Sequence, residues 1–444
     1  MSVRQEVRAL SALAAPVVIS QLANMAMGVE DLWFIGRLGA EPMAAVAAGN
    51  TYAFGLLIIG IGLMAAMDPL SAQATGAGRP RAGWDSLQRA LVVAAAASIP
   101  FMAAFAFGGP VLRALGQPPE IIPAAEAFLI AQIPSLFPFM AYFAFRSWLQ
   151  GRNLVRPAMW SALAANVVNI AANAWWVLGE GLGPAGSGMA TATARCFQCA
   201  TLFYVVWRQA RRDGFVFDLV GAARDVAGLR RFLSLGLPLG IQHGLEAWIF
   251  VGATFVAGTL GTAALAGHQI ALNLASLSFM VPLGLASATS VRVGQAIGRA
   301  DVAGAQRAAK VGTGLGLVAM SCSAVGFAAV PELLAGFYTP DPNAIAIAVT
   351  LLPIAAAFQL FDGAQVVGAG ILRGAADARV PLLINLAGFW GVGLPVGWWL
   401  AVDAGRGVSG LWWGLTAGLA AVAILLYARV VWRLREGRVR AVVA

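Results

Sequence analysis

The sequence predicts an all-α polytopic membrane protein, with twelve transmembrane helices in two six-helix bundles related by a parallel internal repeat. Three observations support this prediction. Of the 444 residues, 60% are hydrophobic and only 11% are charged, whereas soluble domains carry roughly 25% charged residues. Apolar segments recur along the chain, and each reaches the length of about 20 residues that one bilayer crossing needs. Short sequence matches also recur between the two halves at one constant offset.

Twelve apolar segments follow one another, and the loops between them are too short for a soluble domain. The first segment follows Arg4 and Arg8, as a secretory signal would, but its apolar run continues past Pro16 to Gly28. That run is too long for a signal core, so we expect a retained helix. The predicted segments are 10–34, 43–72, 87–109, 121–145, 158–178, 188–208, 231–257, 262–291, 308–331, 344–371, 380–402 and 408–433.

The sequence contains an internal duplication. Three matches share one offset: LAAP at 13–16 with LGLP at 235–238, LGA at 38–40 with LGT at 260–262, and QATG at 73–76 with QAIG at 295–298. Each half then holds six helices, and because six is even, both halves insert in the same orientation. Parallel repeats of this kind are typical of transporters that work by alternating access.

The repeat predicts the domain boundaries. We expect an N-terminal six-helix lobe over residues 1–210 and a C-terminal six-helix lobe over residues 231–444. The longest polar stretch of the chain joins them, and we expect residues 211–230 to form a cytoplasmic linker.

Basic residues are distributed very unevenly between the predicted loops. One side of the membrane holds 25 of the 29 basic residues, and the other side holds Arg37, Arg113 and Arg406, while Arg195 lies within a helix. Positive charge marks cytoplasmic loops, so we expect a multi-pass protein of the bacterial inner membrane with both termini in the cytoplasm. The net charge of +9 thus reflects topology and the lipid bilayer as partner, and we expect no nucleic-acid partner.

Polar residues on four of the apolar helices are spaced at the helical period. Such stripes place polar groups on one helix face and indicate polar cavities between helices. Amide hydrogen bonds between membrane helices are the alternative for the asparagines. The stripes are Gln21, Asn24, Gly28 and Asp31; Asn166, Asn169 and Asn173; Gln242, His243 and Glu246; and Gln359, Asp362 and Gln365.

Three carboxylates fall inside apolar segments: Asp31, Glu246 and Asp362. A charged side chain at mid-membrane costs about 2.5–3.5 kcal/mol on insertion scales. Arg195 is the only basic residue that we place inside a helix, so permanent ion pairs cannot neutralise all three carboxylates. A mobile cation or a proton is the natural partner. We therefore interpret Glu246 as a ligand for a coupling ion or a cationic substrate, against the alternative of a neutral packing residue.

Two prolines occupy matching positions of the repeat, Pro16 in segment one and Pro238 in segment seven. Proline inside a helix removes a backbone hydrogen bond and bends the helix. We expect kinks at both positions and a hinge at Pro16.

Four separated motifs resemble those of the multidrug and toxic compound extrusion (MATE) transporters, closest to the bacterial NorM branch. The resemblance covers nearly the whole chain. It is carried by MGVEDLWFIGRLG, NVVNIAANAWW, GHQIALN and QLFDGAQVVGAGILRG.

The resemblance implies roles for individual residues. Glu246 and Asp362 match the family's ligands for the coupling cation and form a Na⁺ site if sodium is the coupling ion. Asp31 matches the carboxylate of the first-helix motif, but Glu30 stands where an apolar residue is expected and leaves open which of the two serves. Asn169 and Asn173 match a second polar site in the N-terminal lobe. With these two asparagines, the stripes assign Asn166, Gln242 and Gln359 to the substrate-accessible polar cavity.

The resemblance also implies the activity: export of small cationic, partly hydrophobic drugs, driven by entry of Na⁺ or H⁺. We expect a monomer with no cofactor besides the coupling ion. Three alternatives stay open. A flippase for lipid-linked precursors would need arginines for its pyrophosphate, where this chain has carboxylates. Another kind of solute carrier is the second alternative. An intramembrane enzyme is the least favoured, because neither H-E-x-x-H nor G-x-S-x-G occurs, so we expect no enzymatic activity.

Overall fold

The computed structural model describes residues 2–439 and 441, and within them the chain is helical, without a β-strand. The helices up to residue 212 are α1 (Val3–Gly36), α2 (Ala40–Met64), α3 (Met67–Gly76), α4 (Pro80–Ala106), α5 (Gly108–Ala114), α6 (Ile122–Gln132), α7 (Leu136–Gly151), α8 (Arg156–Asn173) and α9 (Gly183–Arg212). The later helices are α10 (Leu219–Arg224), α11 (Val226–Thr259), α12 (Thr262–Gly298), α13 (Val302–Ala329), α14 (Pro331–Gly336), α15 (Pro342–Gly374), α16 (Arg379–Asn385), α17 (Leu394–Trp398) and α18 (Gly407–Arg433).

Some apolar segments contain irregular turns. A 3₁₀ turn at Ile133–Ser135 separates α6 from α7, and a π-helical stretch at Ala174–Gly179 follows α8 directly. Two further π-helical stretches, Leu386–Gly393 and Trp399–Asp403, lie in the eleventh predicted segment. π-turns are rare and concentrate at functional sites, and the first of them begins next to Asn173, a predicted site residue.

Ten helical spans in the described part of the chain are long and apolar enough to cross a membrane. They confirm the predicted class, an all-α multi-pass membrane protein. The predicted segments 188–208 and 231–257 coincide with α9 and α11, helices of 30 and 34 residues that are not among those ten. The number of twelve crossings stays a prediction.

The helices extend beyond the apolar segments, and this corrects one expectation. Arg195 is not the only basic residue inside a helix, because Arg146 lies in α7, Arg292 in α12 and Arg373 in the last turn of α15. The apolar run sets the length needed to cross the hydrocarbon, whereas backbone hydrogen bonding continues the helix past it.

Two compact units make up the fold, one of residues Ile19–Gly240 and one of Met1–Val18 with Ile241–Ala444. The divisions fall inside α1 and α11, shortly after Pro16 and Pro238, and both helices run through their proline. The two divisions occupy equivalent positions under the offset of the sequence matches. The lobes predicted from the repeat have different boundaries from these packing units: 1–210 and 231–444, with a linker at 211–230. These lobes stay a prediction.

Glycines allow the first part of α11 and the first part of α1 to pack closely against other helices of their own units. A Cβ added at Gly62 of α2 would lie 2.5 Å from the Leu239 carbonyl oxygen and 2.7 Å from the Gly240 Cα, so α11 packs backbone to backbone on α2. In the other unit, a Cβ added at Gly284 of α12 would meet the Val18 side chain and lie 3.0 Å from its nitrogen. Small residues commonly permit such approaches between membrane helices. The two contacts are equivalent under the offset of the repeat.

Candidate functional site

Asp31 of α1 accepts three hydrogen bonds in the unit Ile19–Gly240, although it is only 1% exposed. Its Oδ1 accepts from the Nδ2 atoms of Asn169, at 3.1 Å, and Asn173, at 2.8 Å. Its Oδ2 accepts from the Thr191 hydroxyl at 2.6 Å. The three donors come from α8 and α9, so helices far apart in the sequence converge on one carboxylate.

Helix α8 holds its two donors one turn apart. Asn173 Nδ2 also lies 3.1 Å from both the carbonyl oxygen and the Oδ1 of Asn169, which orients both amides toward Asp31. Asn166, predicted for the same cavity, donates instead to the Ala162 carbonyl of its own helix at 2.8 Å. The structure therefore brings Asn169 and Asn173 together with Asp31, but not Asn166.

Thr191 was not predicted. The available signal was a second stripe, Ser187, Thr191 and Arg195, spaced by four residues along α9. Ser187 Oγ and Asn173 Oδ1 are buried and have no hydrogen-bond partner among the described residues. Buried polar atoms are normally satisfied, so a water molecule or a cation is the natural partner of these two oxygens.

The rest of the α1 stripe also meets polar partners. Gln21 Oε1 accepts from Arg146 of α7 at 3.0 Å, and Asn24 Oδ1 accepts from Gln198 of α9 at 2.9 Å. A Cβ added at Gly28, between Asn24 and Asp31, would meet nothing within 4 Å. The stripe thus borders open space at its centre.

Glu30 and Arg195 are the other charged groups of this region. Glu30 is half-buried, and its buried Oε2 accepts no hydrogen bond within the described chain. The Arg195 guanidinium donates to Gln132 Oε1 at 2.9 Å and lies 4.9 Å from the ring centroid of Phe139. It attracts Asp31 electrostatically without forming an ion pair with it in the part of the chain that is described.

A second polar cluster lies in the unit that contains residues 241–444. Glu246 of α11 is half-buried, and Asp362 of α15 is 5% exposed. The two carboxylates are near enough to repel one another when both are charged. Sharing a cation or a proton removes this repulsion.

Amides surround the two carboxylates. Gln359 is fully buried and donates to the Ser278 hydroxyl, and Gln365 lies beside Glu246. The Oε1 atoms of Gln242, Gln359 and Gln365 are buried and accept no hydrogen bond within the described residues. Carboxylate and amide oxygens are the ligands that hard cations prefer, so this donor set fits Na⁺ as well as a proton.

Arg373 adds a fixed positive charge to this second cluster. It lies on α15, about three helical turns after Asp362, and attracts Glu246 electrostatically. Sequence reasoning assigned Arg373 to a loop and missed this relation. No group of three or more His, Cys, Asp and Glu side chains suited to a transition metal occurs in residues 2–439.

The sequence profile of the MatE family matches two blocks of the chain, residues 16–175 and 238–399. The starts of the two blocks are related by the offset of the sequence matches. Two bacterial relatives match over nearly their whole length. Multidrug resistance protein NorM of Burkholderia vietnamiensis is 35% identical, over 93% of this chain and 91% of the relative. Multidrug resistance protein MdtK of Yersinia pseudotuberculosis is 33% identical, over 96% and 95%.

Solved structures show the same fold. The eukaryotic MATE transporter AtDTX14 has a TM-score of 0.90 at 20% identity, over 98% of this chain and 99% of its own. The Vibrio cholerae MATE transporter VcmN in its bent form has a TM-score of 0.86 at 18% identity, over 98% of both chains.

Proposed function

The chain belongs to the MatE family, as its motifs predict, and we propose that it is a multidrug efflux transporter that exchanges cationic, partly hydrophobic compounds for incoming Na⁺ or H⁺. The bacterial relatives are named as multidrug resistance proteins. Such names favour transport over an intramembrane enzyme. The chain works in the bacterial inner membrane, and drugs are its small-molecule partners.

One observation carries the mechanism: two buried polar clusters, each built around carboxylates on apolar helices, with unsatisfied oxygens beside them. A buried carboxylate in a membrane helix is functional by default because of its cost. Glu246 and Asp362 hold the coupling ion, and amide oxygens of Gln242 and Gln359 complete its shell. A cationic drug is attracted to the same carboxylates once the ion has left.

The cluster around Asp31 forms a second site for a proton or a cation. Asn169 and Asn173 hold the Asp31 carboxylate by hydrogen bonds, and there is open space at Gly28, one turn earlier in α1. Asn166 donates within its own helix through Nδ2, but its buried Oδ1 has no hydrogen-bond partner among the described residues, so it stays a candidate for the polar cavity.

We further propose twelve crossings in two parallel six-helix repeats, with both termini in the cytoplasm, acting as a monomer. The repeat is supported by one offset that three observations share: the sequence matches, the starts of the two family blocks and the glycine contacts. Pro16 and Pro238 stand beside the divisions between the packing units, which supports hinges there. The carboxylate clusters speak against a flippase for anionic lipid precursors.

The test is drug efflux from proteoliposomes under separately imposed Na⁺ and H⁺ gradients. Glu246→Gln and Asp362→Asn each abolish coupled efflux, while the exposed Glu332→Gln on α14 retains it. Removing a charge from an apolar helix eases its insertion, and an exposed side chain such as Glu332 contributes little to stability, so all three variants remain folded. Wild-type efflux by either site variant at equal reconstitution contradicts the ligand role.

A further inference from the structure

A basic cavity lies at the beginning of α11, away from both carboxylate clusters. It has a volume of about 900 Å³. All the residues that line it belong to the unit Ile19–Gly240. Those that decide its chemistry are Arg89, Asp225, Gly228, Arg230, Arg231 and Ser234.

One of the three arginines is neutralised within the protein. Arg89 of α4 contacts Asp225 Oδ2 through Nε and through a terminal guanidinium nitrogen, each at 2.6 Å. The other oxygen of Asp225 accepts the Gly228 N–H at 2.9 Å. The Gly228 N–H and Arg89 hold the pKa of this linker carboxyl below its usual value, so it stays charged at neutral pH.

The other two arginines carry uncompensated charge. Arg230 and Arg231 are exposed, and neither side chain makes a hydrogen bond or an ion pair with any described residue. The cavity therefore presents two free guanidinium groups, while the Ser234 hydroxyl donates to the Arg231 carbonyl oxygen at 2.7 Å. Guanidinium groups bind phosphate through paired, charge-assisted hydrogen bonds.

The helix face beside Arg230 is apolar. Leu237 lies seven residues after Arg230, on the same face of α11 and inside the predicted membrane segment, and is 52% exposed. On a membrane helix, such a face is turned to acyl chains, and an arginine near the helix end reaches the headgroup region. An exposed basic group thus lies two helical turns from an exposed leucine on the same face of α11.

We propose that this cavity binds the phosphate group of an anionic phospholipid, with the phosphate on Arg230 and Arg231 and an acyl chain along Leu237. The cavity lies on the side that holds most of the basic residues, which is predicted to be cytoplasmic. Anionic lipids of the cytoplasmic leaflet are attracted to such basic segments. Inorganic phosphate shares the headgroup chemistry but lacks the acyl chain.

The test measures equilibrium binding to the purified full-length protein in a phosphate-free detergent. Short-chain phosphatidylglycerol, short-chain phosphatidylcholine and inorganic phosphate are titrated separately. The variant is Arg230→Gln with Arg231→Gln. The matched control is Arg211→Gln with Arg212→Gln, an exposed pair at the end of α9 in the same unit, which removes the same charge.

Phosphatidylglycerol binds most tightly to the wild type, and the cavity variant weakens it about thirtyfold if each arginine contributes as at a membrane surface. The control pair leaves it unchanged. Equal weakening by both pairs means diffuse surface charge and overturns the site. Inorganic phosphate bound as tightly as the lipid overturns the lipid assignment. Both readouts are independent of efflux and of the coupling ion.

Discussion

At the scale of single residues, Asp31 and Glu30 show that adjacent carboxylates on one helix can have very different surroundings. They are neighbours in α1, about 100° apart around its axis. Asp31 is 1% exposed and accepts hydrogen bonds from three side chains, whereas Glu30 is half-buried and accepts none at its buried oxygen. Asp31, and not Glu30, therefore has the hydrogen-bonded surroundings that the proposed first-helix site requires.

We predict that Asp31→Asn impairs efflux strongly and that Glu30→Gln changes it little. The asparagine keeps the shape of the side chain but removes the charge that a coupling ion requires. Efflux from proteoliposomes, at equal amounts of folded protein, provides the comparison. The opposite ranking shows that Glu30 serves as the ligand.

Thr191 is the second prediction at this scale. Thr191→Val keeps the volume but removes the donor to Asp31 Oδ2, and a hydrogen bond to a charged group contributes about 1.5–3 kcal/mol. Because this hydrogen bond stabilises the charged carboxylate before an ion binds, we expect a change of roughly tenfold or more in apparent ion affinity. Thr191→Ser keeps the hydroxyl and therefore keeps the ion affinity of the wild type. Equal affinities of the valine and serine variants contradict a role for the hydroxyl.

At the scale of elements, the predicted linker is docked against the helices of its unit. Trp84 of α4 is fully buried, and its Nε1 donates to the Val216 carbonyl at 3.0 Å. Its ring centroid lies 4.6 Å from that of Phe217 and 5.7 Å from that of Phe215. Asp213 adds an ion pair with Arg152 at 2.6 Å. The linker therefore belongs to the packing unit and is not a free tether.

We predict that Trp84→Ala destabilises the protein by about 3–5 kcal/mol, the usual effect of truncating a buried tryptophan. Trp84→Phe keeps part of the aromatic contact and has a smaller effect. Thermal unfolding in detergent measures both, with Trp160→Ala as the control, because Trp160 is 64% exposed. A similar loss for Trp84→Ala and Trp160→Ala means that the aromatic cluster does not hold the linker.

At the scale of the whole molecule, the orientation in the membrane follows from the basic residues, and cysteine labelling tests it. Cysteines are placed at Val216 in the linker and at Asp403 before α18, both exposed, after the native cysteines have been replaced. We expect membrane-impermeant reagents to label the two sites from opposite sides. Labelling from one side contradicts the count of twelve crossings.

The second whole-molecule prediction concerns exchange. An ion held by Glu246 and Asp362 cancels the field that attracts a cationic drug. Two unit charges about 4 Å apart repel by about 4 kcal/mol at an effective dielectric of 20, which exceeds the typical coupling of about 1–3 kcal/mol between sites. We expect rising Na⁺, or falling pH if protons couple, to weaken drug binding.

Binding coupling is reciprocal, so the drug weakens ion binding by the same factor. Equilibrium titrations of the purified protein measure both directions. Drug affinity that is unaffected by Na⁺ and by pH means that direct electrostatic competition is wrong. Coupling then runs through a conformational change, and the Asp31 cluster is the first place to examine.

The sequence by itself determined the class of protein and which carboxylates lie inside apolar segments. An apolar run of fixed length and a carboxylate within it are local properties, because the bilayer sets the cost of each residue independently of the fold. The helical period likewise placed Asp31 on the stripe of Gln21 and Asn24, and Asn173 on one face with Asn169. The constant offset between matching motifs indicated the repeat in the same direct way.

Only the tertiary structure decided which members of a stripe meet. Thr191 escaped prediction because a threonine in a helix usually donates to its own preceding turn. Its hydroxyl, which has a single proton to donate, lies nearer to Asp31 Oδ2, at 2.6 Å, than to the Ser187 carbonyl oxygen, at 3.2 Å, and this depends on how α9 packs against α1. Asn166 shares the stripe of Asn169 but turns back to its own helix. The divisions after Val18 and Gly240 also depend on packing across long sequence separations. Side-chain partners and packing units are non-local, and residue spacing along a single helix carries no information about them.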